Sequence, residues 1–212
     1  MRIISFNALL NLIIGERGVG KTYGLKSYVI KRFLNKHKQF AYIRRYDTDL
    51  EESVGRTTDN KFFEQVRSEF PNSTFKIAKS KKVRRLYIDG EICGYALPLS
   101  SADSLKSSTY ENVDTIIYDE FMLKEGSSQH YLRNEPEIIL DLIETIGRLR
   151  DVRVFCLGNA ISSTSPLMSY FDLTLPYNTD IKMFKDNTIA VEYIRNEKYR
   201  EVKKASRFGK LI

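Results

Sequence analysis

The feature that most constrains the fold is a junction near the N-terminus. Leu9-Leu-Asn-Leu-Ile-Ile14 is a nearly continuous apolar run, the pattern of a strand buried on both faces. It stops at Gly15, and from Lys21 to about Phe33 the residues Tyr23, Leu25, Tyr28, Val29 and Phe33 recur at helical spacing. The link between them, Gly15-Glu16-Arg17-Gly18-Val19-Gly20-Lys21-Thr22, fits G-x-x-x-x-G-K-[ST]. Glycines let such a loop wrap so that its backbone N–H groups converge on phosphate oxygens, and the helix that follows adds its positive end. Lys21 then reaches the β- and γ-phosphates, and Thr22 supplies a hydroxyl to Mg²⁺. Four fixed positions match by chance in roughly 1% of chains this long, but a chance match would not also sit between a strand and a helix. Glu16, Arg17 and Val19 complete the loop, with Arg17 read as a solvated side chain.

The rest of the chain continues the alternation. Gln39–Arg45 is expected to be a second strand, and Lys61–Phe70 an amphipathic helix ended by Pro71. Thr115-Ile-Ile-Tyr-Asp119 and Val152-Arg-Val-Phe-Cys-Leu157 are further buried strands, with others expected near 171–176 and 188–194. Asn134-Glu-Pro-Glu137 reads as a helix start, with Asn134 as the N-cap. Ile139, Leu142, Ile143, Ile146 and Leu149 form the apolar stripe of that helix. Residues 73–97 interrupt the rhythm. Val83–Ile88 and Glu91–Leu97 flank Asp89-Gly90, a tight-turn signal for a β-hairpin insertion at the sheet edge. The expected fold is therefore α/β, a mostly parallel sheet flanked by helices, in one domain over residues 1–212.

Three chemically useful segments fall at the carboxyl ends of strands, where open α/β sheets bind ligands. Besides the glycine loop, Asp119-Glu120 closes one strand. An aspartate there can hold Mg²⁺ through water, and the next glutamate can polarise an attacking water as general base. Asn159 closes another, where it either orients that water or serves as an ordinary turn residue. Arg148 and Arg150 end the helix begun at Asn134. Either they answer the helix dipole, or one is an arginine finger inserted into a neighbouring subunit. Asn35-Lys36-His37-Lys38 lacks the aspartate of the guanine-reading motif, which favours ATP over GTP.

Lys and Arg total 34 against 27 Asp and Glu, a net charge of +7. Lys76, Lys79, Lys81, Lys82, Arg84 and Arg85 lie in a stretch without acid, and Arg195–Ile212 is also basic. Such runs are either the footprint of a nucleic-acid backbone partner or solubilising surface. Cys93 and Cys156 each sit in an apolar run and read as reduced core thiols of an intracellular protein. No apolar run approaches the length of a membrane span. A P-loop phosphotransferase acting on a small molecule or nucleotide is the rival enzyme class, and a nucleotide-gated assembly protein the non-enzymatic one.

Taken in order, the segments resemble the DNA-packaging ATPase, or encapsidation protein, of small podoviruses that use a prohead RNA. The resemblance rests on Gly15–Thr22 with Tyr23, Ala41-Tyr-Ile-Arg-Arg-Tyr46, Leu86-Tyr-Ile-Asp-Gly90, Ala96-Leu-Pro-Leu-Ser100, Thr115–Phe121, Asn134-Glu135, Cys156-Leu-Gly-Asn-Ala160 and Arg207-Phe-Gly-Lys-Leu-Ile212. It implies a ring motor of the additional-strand, catalytic-glutamate class, pentameric on the capsid vertex, that uses ATP and Mg²⁺ to push double-stranded DNA through the portal. The implied location is the host cytoplasm, with transient docking on the procapsid and contact with the prohead RNA. The family's trans-acting arginine falls on Arg148, and a second trans-acting lysine falls on Lys106, whose surroundings match only loosely. Lys124, in the loop after Glu120, is a candidate DNA contact. Asp47 stands where a relative carries a basic residue, and the loop after Glu120 is one residue longer. The family protein continues past the Arg-Phe-Gly segment into a nuclease-like domain, so residues 1–212 are expected to be its ATPase domain.

Overall fold

The computed structural model describes residues 2–55, 59–105, 109–124, 126–160, 162, 164–195, 201–202, 204–207 and 209. The first strand, β1 (Leu10–Gly15), is buried along its whole length, as its apolar run requires. Its one polar side chain, Asn11, donates to the carbonyls of Ala8 at 2.8 Å and Val154 at 3.1 Å. Helix α1 (Lys21–Lys36) follows the glycine loop, buries Leu25, Val29, Ile30 and Phe33, and stops at His37, whose φ of 52° no helix accepts.

Then come β2 (Gln39–Arg44), α2 (Asp47–Val54) and a short α3 (Lys61–Glu64). The chain forms β3 (Phe75–Ser80), β4 (Val83–Ile88) and β5 (Glu91–Pro98), then a four-residue α4 (Ala102–Leu105). It ends with β6 (Val113–Asp119), α5 (Glu135–Gly147), β7 (Arg153–Asn159), α6 (Pro166–Tyr170), β8 (Ile181–Phe184) and β9 (Ile189–Ile194). The strands make one sheet in the order β3-β4-β5-β2-β6-β7-β1-β9-β8. The stretch from β5 to β9 is parallel throughout. β3–β4–β5 at one edge and β8–β9 at the other pair antiparallel. β4 and β5 are joined by Asp89 and Gly90, both at positive φ (51° and 87°), as a tight turn of primed type demands.

Two cores form because side chains alternate across the sheet. Leu12, Ile14, Ile116, Tyr118, Val154 and Cys156 face α5, where they meet Ile139, Leu142 and Ile146. Ile13, Ile117, Phe155 and Leu157 face α1 and meet Leu25, Val29 and Phe62. Cys93 and Cys156 are free and buried. Among the described residues no helix is long and apolar enough to cross a membrane.

Several expectations from the sequence are corrected. Lys61–Phe70 is not one helix: α3 ends at Glu64 and a 3₁₀ turn covers Arg67–Glu69. Phe62 stacks on Phe40 while its neighbour Phe63 stacks on Phe75. Two adjacent aromatics drawn to different partners are served by tighter i→i+3 turns, such as Val66 N–H to Phe63 O at 3.0 Å. No strand forms at 171–176. Asp172 has a φ of 53° and Pro176 has no N–H, so Leu173 reaches the core from irregular backbone. Asn134 precedes α5, but at a φ of 55° its side chain caps nothing. The carboxylate of Glu135 instead accepts the N–H of Leu132 at 2.9 Å. Leu149 leaves the apolar stripe because the helix ends at Gly147, and its side chain is fully exposed.

Candidate nucleotide-binding site

The carboxyl ends of β1, β6 and β7 converge on one cleft of about 460 Å³. Gly20 enters α1 at a φ of 83°, a conformation that costs any residue with a Cβ, and so turns the loop into the helix. Lys21 folds back over that loop. Its Nζ donates to the carbonyls of Gly15 and Glu16, both at 2.9 Å, and to Asn159 Oδ1 at 3.2 Å. Burial lowers its pKa, and the nearby charge of Asp119 opposes that shift.

Thr22 Oγ1 lies 3.4 Å from both carboxylate oxygens of Asp119. Asp119 is buried at the end of β6, where Tyr42 donates to its Oδ2 at 2.7 Å. Burial raises its pKa, while Arg44 and the Tyr42 hydroxyl pull it down. Glu120, at a φ of 59°, sits in the left-handed region, and its N–H bonds to Asp119 Oδ1 at 3.1 Å. Lys26, also buried, has its pKa pushed down to about 8 by desolvation, against the opposing pull of Asp119.

A second layer fixes this acid pair. Arg44 donates to Glu120 Oε2 at 2.6 Å. Burial works against its charge, but Tyr42, Asp119 and Glu120 outweigh it and hold its pKa above the ordinary value. Arg45 makes a two-pronged pair with Glu135, at 2.7 and 2.9 Å, and reaches the carbonyls of Glu120 at 3.2 Å and Phe121 at 3.0 Å. The start of α5 is thereby stapled to the chain leaving β6. The sequence reading does not single out Tyr42, Lys26, Arg44 or Arg45 as site residues. The available signal is an Arg-Arg pair closing an apolar strand at the sheet edge that carries the glycine loop.

The donor set suits a small hard cation. Mg²⁺ holds oxygens near 2.1 Å in octahedral geometry, which places neighbouring ligands about 3 Å apart. The Thr22–Asp119 separation of 3.4 Å is close to that spacing. Among the described residues no group of three or more His, Cys, Asp or Glu is arranged to hold a metal ion by itself, so waters and phosphate oxygens would complete the shell. Asn159 lines the cleft together with Arg17, Gly18, Tyr23, Gln65 and Glu120. The exposed Lys124 lines an adjoining cleft, which shares Arg17, Glu120 and Asn159 with the first.

Arg148 does not join this group. Helix α5 has 13 residues and rises about 20 Å, so its last turn lies at the opposite end of the sheet from the cleft. The two arginines there behave differently. Arg150 is tied down, donating to the carbonyls of Gly147 at 3.2 Å and Tyr110 at 2.8 Å and to those of Ile146 and Glu111. Arg148 is exposed at a φ of 51°, and among the described residues no hydrogen bond or ion pair holds its guanidinium. Lys106 lies outside the described residues. Of the basic run on the hairpin, Arg84 is a buried structural cation paired with Asp47 at 2.6 Å. Lys76, Lys79, Lys81, Lys82 and Arg85 stay exposed.

Residues 1–212 match the model of the podovirus DNA encapsidation protein (Gp16) family. The DNA packaging protein of Bacillus phage B103 is 37% identical over 211 residues, which cover 99% of this chain and 62% of that protein. This chain spans about three-fifths of the length of the curated relatives it matches. The crystal structure of the N-terminal domain of the DNA packaging ATPase from bacteriophage phi29 superposes with a TM-score of 0.78 at 36% identity, covering 91% of this chain and 93% of that one. The large terminase ATPase domain of Thermus phage P74-26 shares the fold alone, at a TM-score of 0.55 and 13% identity over 93% of this chain and 80% of that one. With its full length matched by the family model and its glycine loop, acid pair and strand order assembled as described, the chain belongs to the podovirus DNA encapsidation protein family.

Proposed function

We propose that this chain is the ATP-hydrolysing part of a ring motor that drives double-stranded DNA into a viral procapsid. The observation that carries the reading is the convergence of Lys21, Thr22, Asp119, Glu120 and Asn159 on one cleft at the carboxyl edge of the sheet. The strand order supports the additional-strand, catalytic-glutamate class, since β7 stands between β1 and β6.

Mg²⁺, when bound, would supply positive charge at the β- and γ-phosphates of ATP. Gly15–Thr22 cradle the phosphates with backbone N–H groups, and Lys21 exchanges its carbonyl partners for phosphate oxygens. Thr22 and Asp119 would hold the metal, Asp119 through water. Glu120 accepts the proton of the attacking water, and Asn159, already bonded to Lys21, orients that water. The exposed Arg148, too far from its own cleft, completes that of an adjoining copy. Family membership supports double-stranded DNA, the portal and procapsid, and prohead RNA as partners, and a pentameric ring as the assembly. The exposed lysines of the β3–β4 hairpin and Lys124 are the cationic surface available to a nucleic-acid backbone.

The test is release of inorganic phosphate from ATP and Mg²⁺, measured with and without double-stranded DNA. Phosphate release without any acceptor, raised by DNA and abolished in Glu120→Gln, supports the motor. Transfer of the γ-phosphate to a small acceptor would identify a phosphotransferase and overturn it.

A further inference from the structure

Two residues beyond Arg148 stands a second arginine with no part in the proposed mechanism. The guanidinium of Arg150 bridges two elements. Its Nε donates to Gly147 O at 3.2 Å and one terminal nitrogen to Ile146 O, the last two carbonyls of α5. The same terminal nitrogen reaches Tyr110 O at 2.8 Å, and the other bonds Glu111 O. That second anchor is firm. Tyr110 is buried edge-on against Tyr95, and its carbonyl also accepts the N–H of Val113, the first residue of β6, at 3.0 Å.

The bridge encloses a strained turn. Gly147 lies so close to Val152 that a Cβ there would meet Val152 Cγ2 at 2.8 Å, and the chain turns away at Arg148 with a φ of 51° and a ψ of −123°. A residue with a Cβ keeps such a backbone only where its surroundings over-determine it. Two backbone bonds close the turn from within, Arg148 N–H to Glu144 O at 2.6 Å and Arg150 N–H to Gly147 O at 3.0 Å. The Arg150 side chain holds it from without. Arg148 itself is exposed, and so is Leu149, completely. The fold fixes a backbone whose side chains it leaves in solvent.

We propose that Arg150 is a positioning residue for the trans arginine; the proposal rests on Arg148 acting in the cleft of an adjoining copy. By clamping the turn after α5 to the chain entering β6, Arg150 sets the place and angle from which Arg148 enters that cleft. Placement matters, since a misplacement of roughly 1 Å can cost on the order of 10²-fold in rate. A turn already rigid in the free subunit also loses less backbone freedom on docking. Arg150 touches neither ATP nor the reacting atoms. Its role needs a planar fork of N–H groups that reaches both anchors, which the single nitrogen of a lysine does not provide.

The experiment puts the substitution on one side of the subunit interface at a time. Phosphate release with DNA is measured in mixtures of Arg148→Ala, whose cleft is intact, and Glu120→Gln, whose arginine is intact. Arg150→Met added to the Glu120→Gln protein should lower the recovered rate on the order of ten-fold or more. Added to the Arg148→Ala protein, it should leave the recovered rate unchanged, because that copy lends no arginine. ATP affinity should not move in either arm. Arg150→Lys keeps a cation at the helix end and should show the same asymmetry more weakly, so it carries the test should Arg150→Met fail to fold. Equal loss in both arms with Arg150→Lys, or full recovery with Arg150→Met on the arginine-lending side, would overturn the proposal. No recovery in the mixture without any change at Arg150 would instead remove the trans role of Arg148, and the proposal with it.

Discussion

Glu135→Gln would leave the Arg45 guanidinium charged, buried and without its counter-ion. Glu135 and Arg45 are 4% and 2% exposed. The carboxylate accepts four hydrogen bonds: two from Arg45 at 2.7 and 2.9 Å, one from Tyr118 at 2.7 Å and one from Leu132 N–H at 2.9 Å. A Gln offers one acceptor oxygen and turns an NH₂ donor against the N–H groups of Arg45, which can only donate. Breaking a buried pair from one side costs about 3–5 kcal/mol, which for a chain of this size lowers Tm by roughly 6–20 °C. Replacing both partners at once, as Arg45→Met/Glu135→Leu, removes the stranded charge and should cost clearly less than the two single losses combined. Hydrolysis should stay low in the double variant, because the Glu120 and Phe121 carbonyls lose Arg45 in any case. Urea denaturation with unchanged m-values measures the stabilities. A loss below about 1 kcal/mol for Glu135→Gln, or strict additivity in the double variant, would refute the staple.

Lys26 makes stability pH-dependent in a defined sense. Its pKa falls from 10.5 unfolded to about 8 folded, so between those values the unfolded chain binds more protons and stability rises with pH. The rise is on the order of 3 kcal/mol, and denaturation midpoints at pH 8, 9 and 10 should show it shrinking in Lys26→Met. Gly20→Ala meets no atom within 4 Å, so its cost is conformational strain at a φ of 83°, about 1–2 kcal/mol, with ATP affinity falling as the loop rotates. Arg148→Ala and Glu120→Gln proteins should each be nearly inactive yet recover partial phosphate release when mixed, since one lends its arginine and the other its glutamate. Mixtures no more active than their parts would exclude the trans assignment.

The residues that proved legible in the sequence share a physical cause. β1, β6 and β7 are buried on both faces, so each appears as a short apolar run, and the polar residue that ends it stands out as a site candidate. The three ends do meet at one cleft. Elements with weaker patterns escaped: α2 carries only Leu50 and Val54 as buried apolar residues, and β8 is half-buried along most of its length. Arginines that are buried or half-buried were the other blind spot. Arg44, Arg45 and Arg84 look like surface charges in one dimension, and only the fold reveals the carboxylates of Glu120, Glu135 and Asp47 that receive them. Arg148 and Arg150 are likewise equivalent on paper. The turn after Gly147 binds one to helix carbonyls and leaves the other exposed.

The most direct measurement is a structure of the protein with a nonhydrolysable ATP analogue and Mg²⁺. The account predicts the triphosphate lying along the N–H groups of residues 18–22, with Lys21 Nζ moved from the Gly15 and Glu16 carbonyls onto phosphate oxygens. It also places the ion between Thr22 and Asp119, and Glu120 beside the γ-phosphate. An analogue seated elsewhere, with Lys21 still bonded to those two carbonyls, would contradict it.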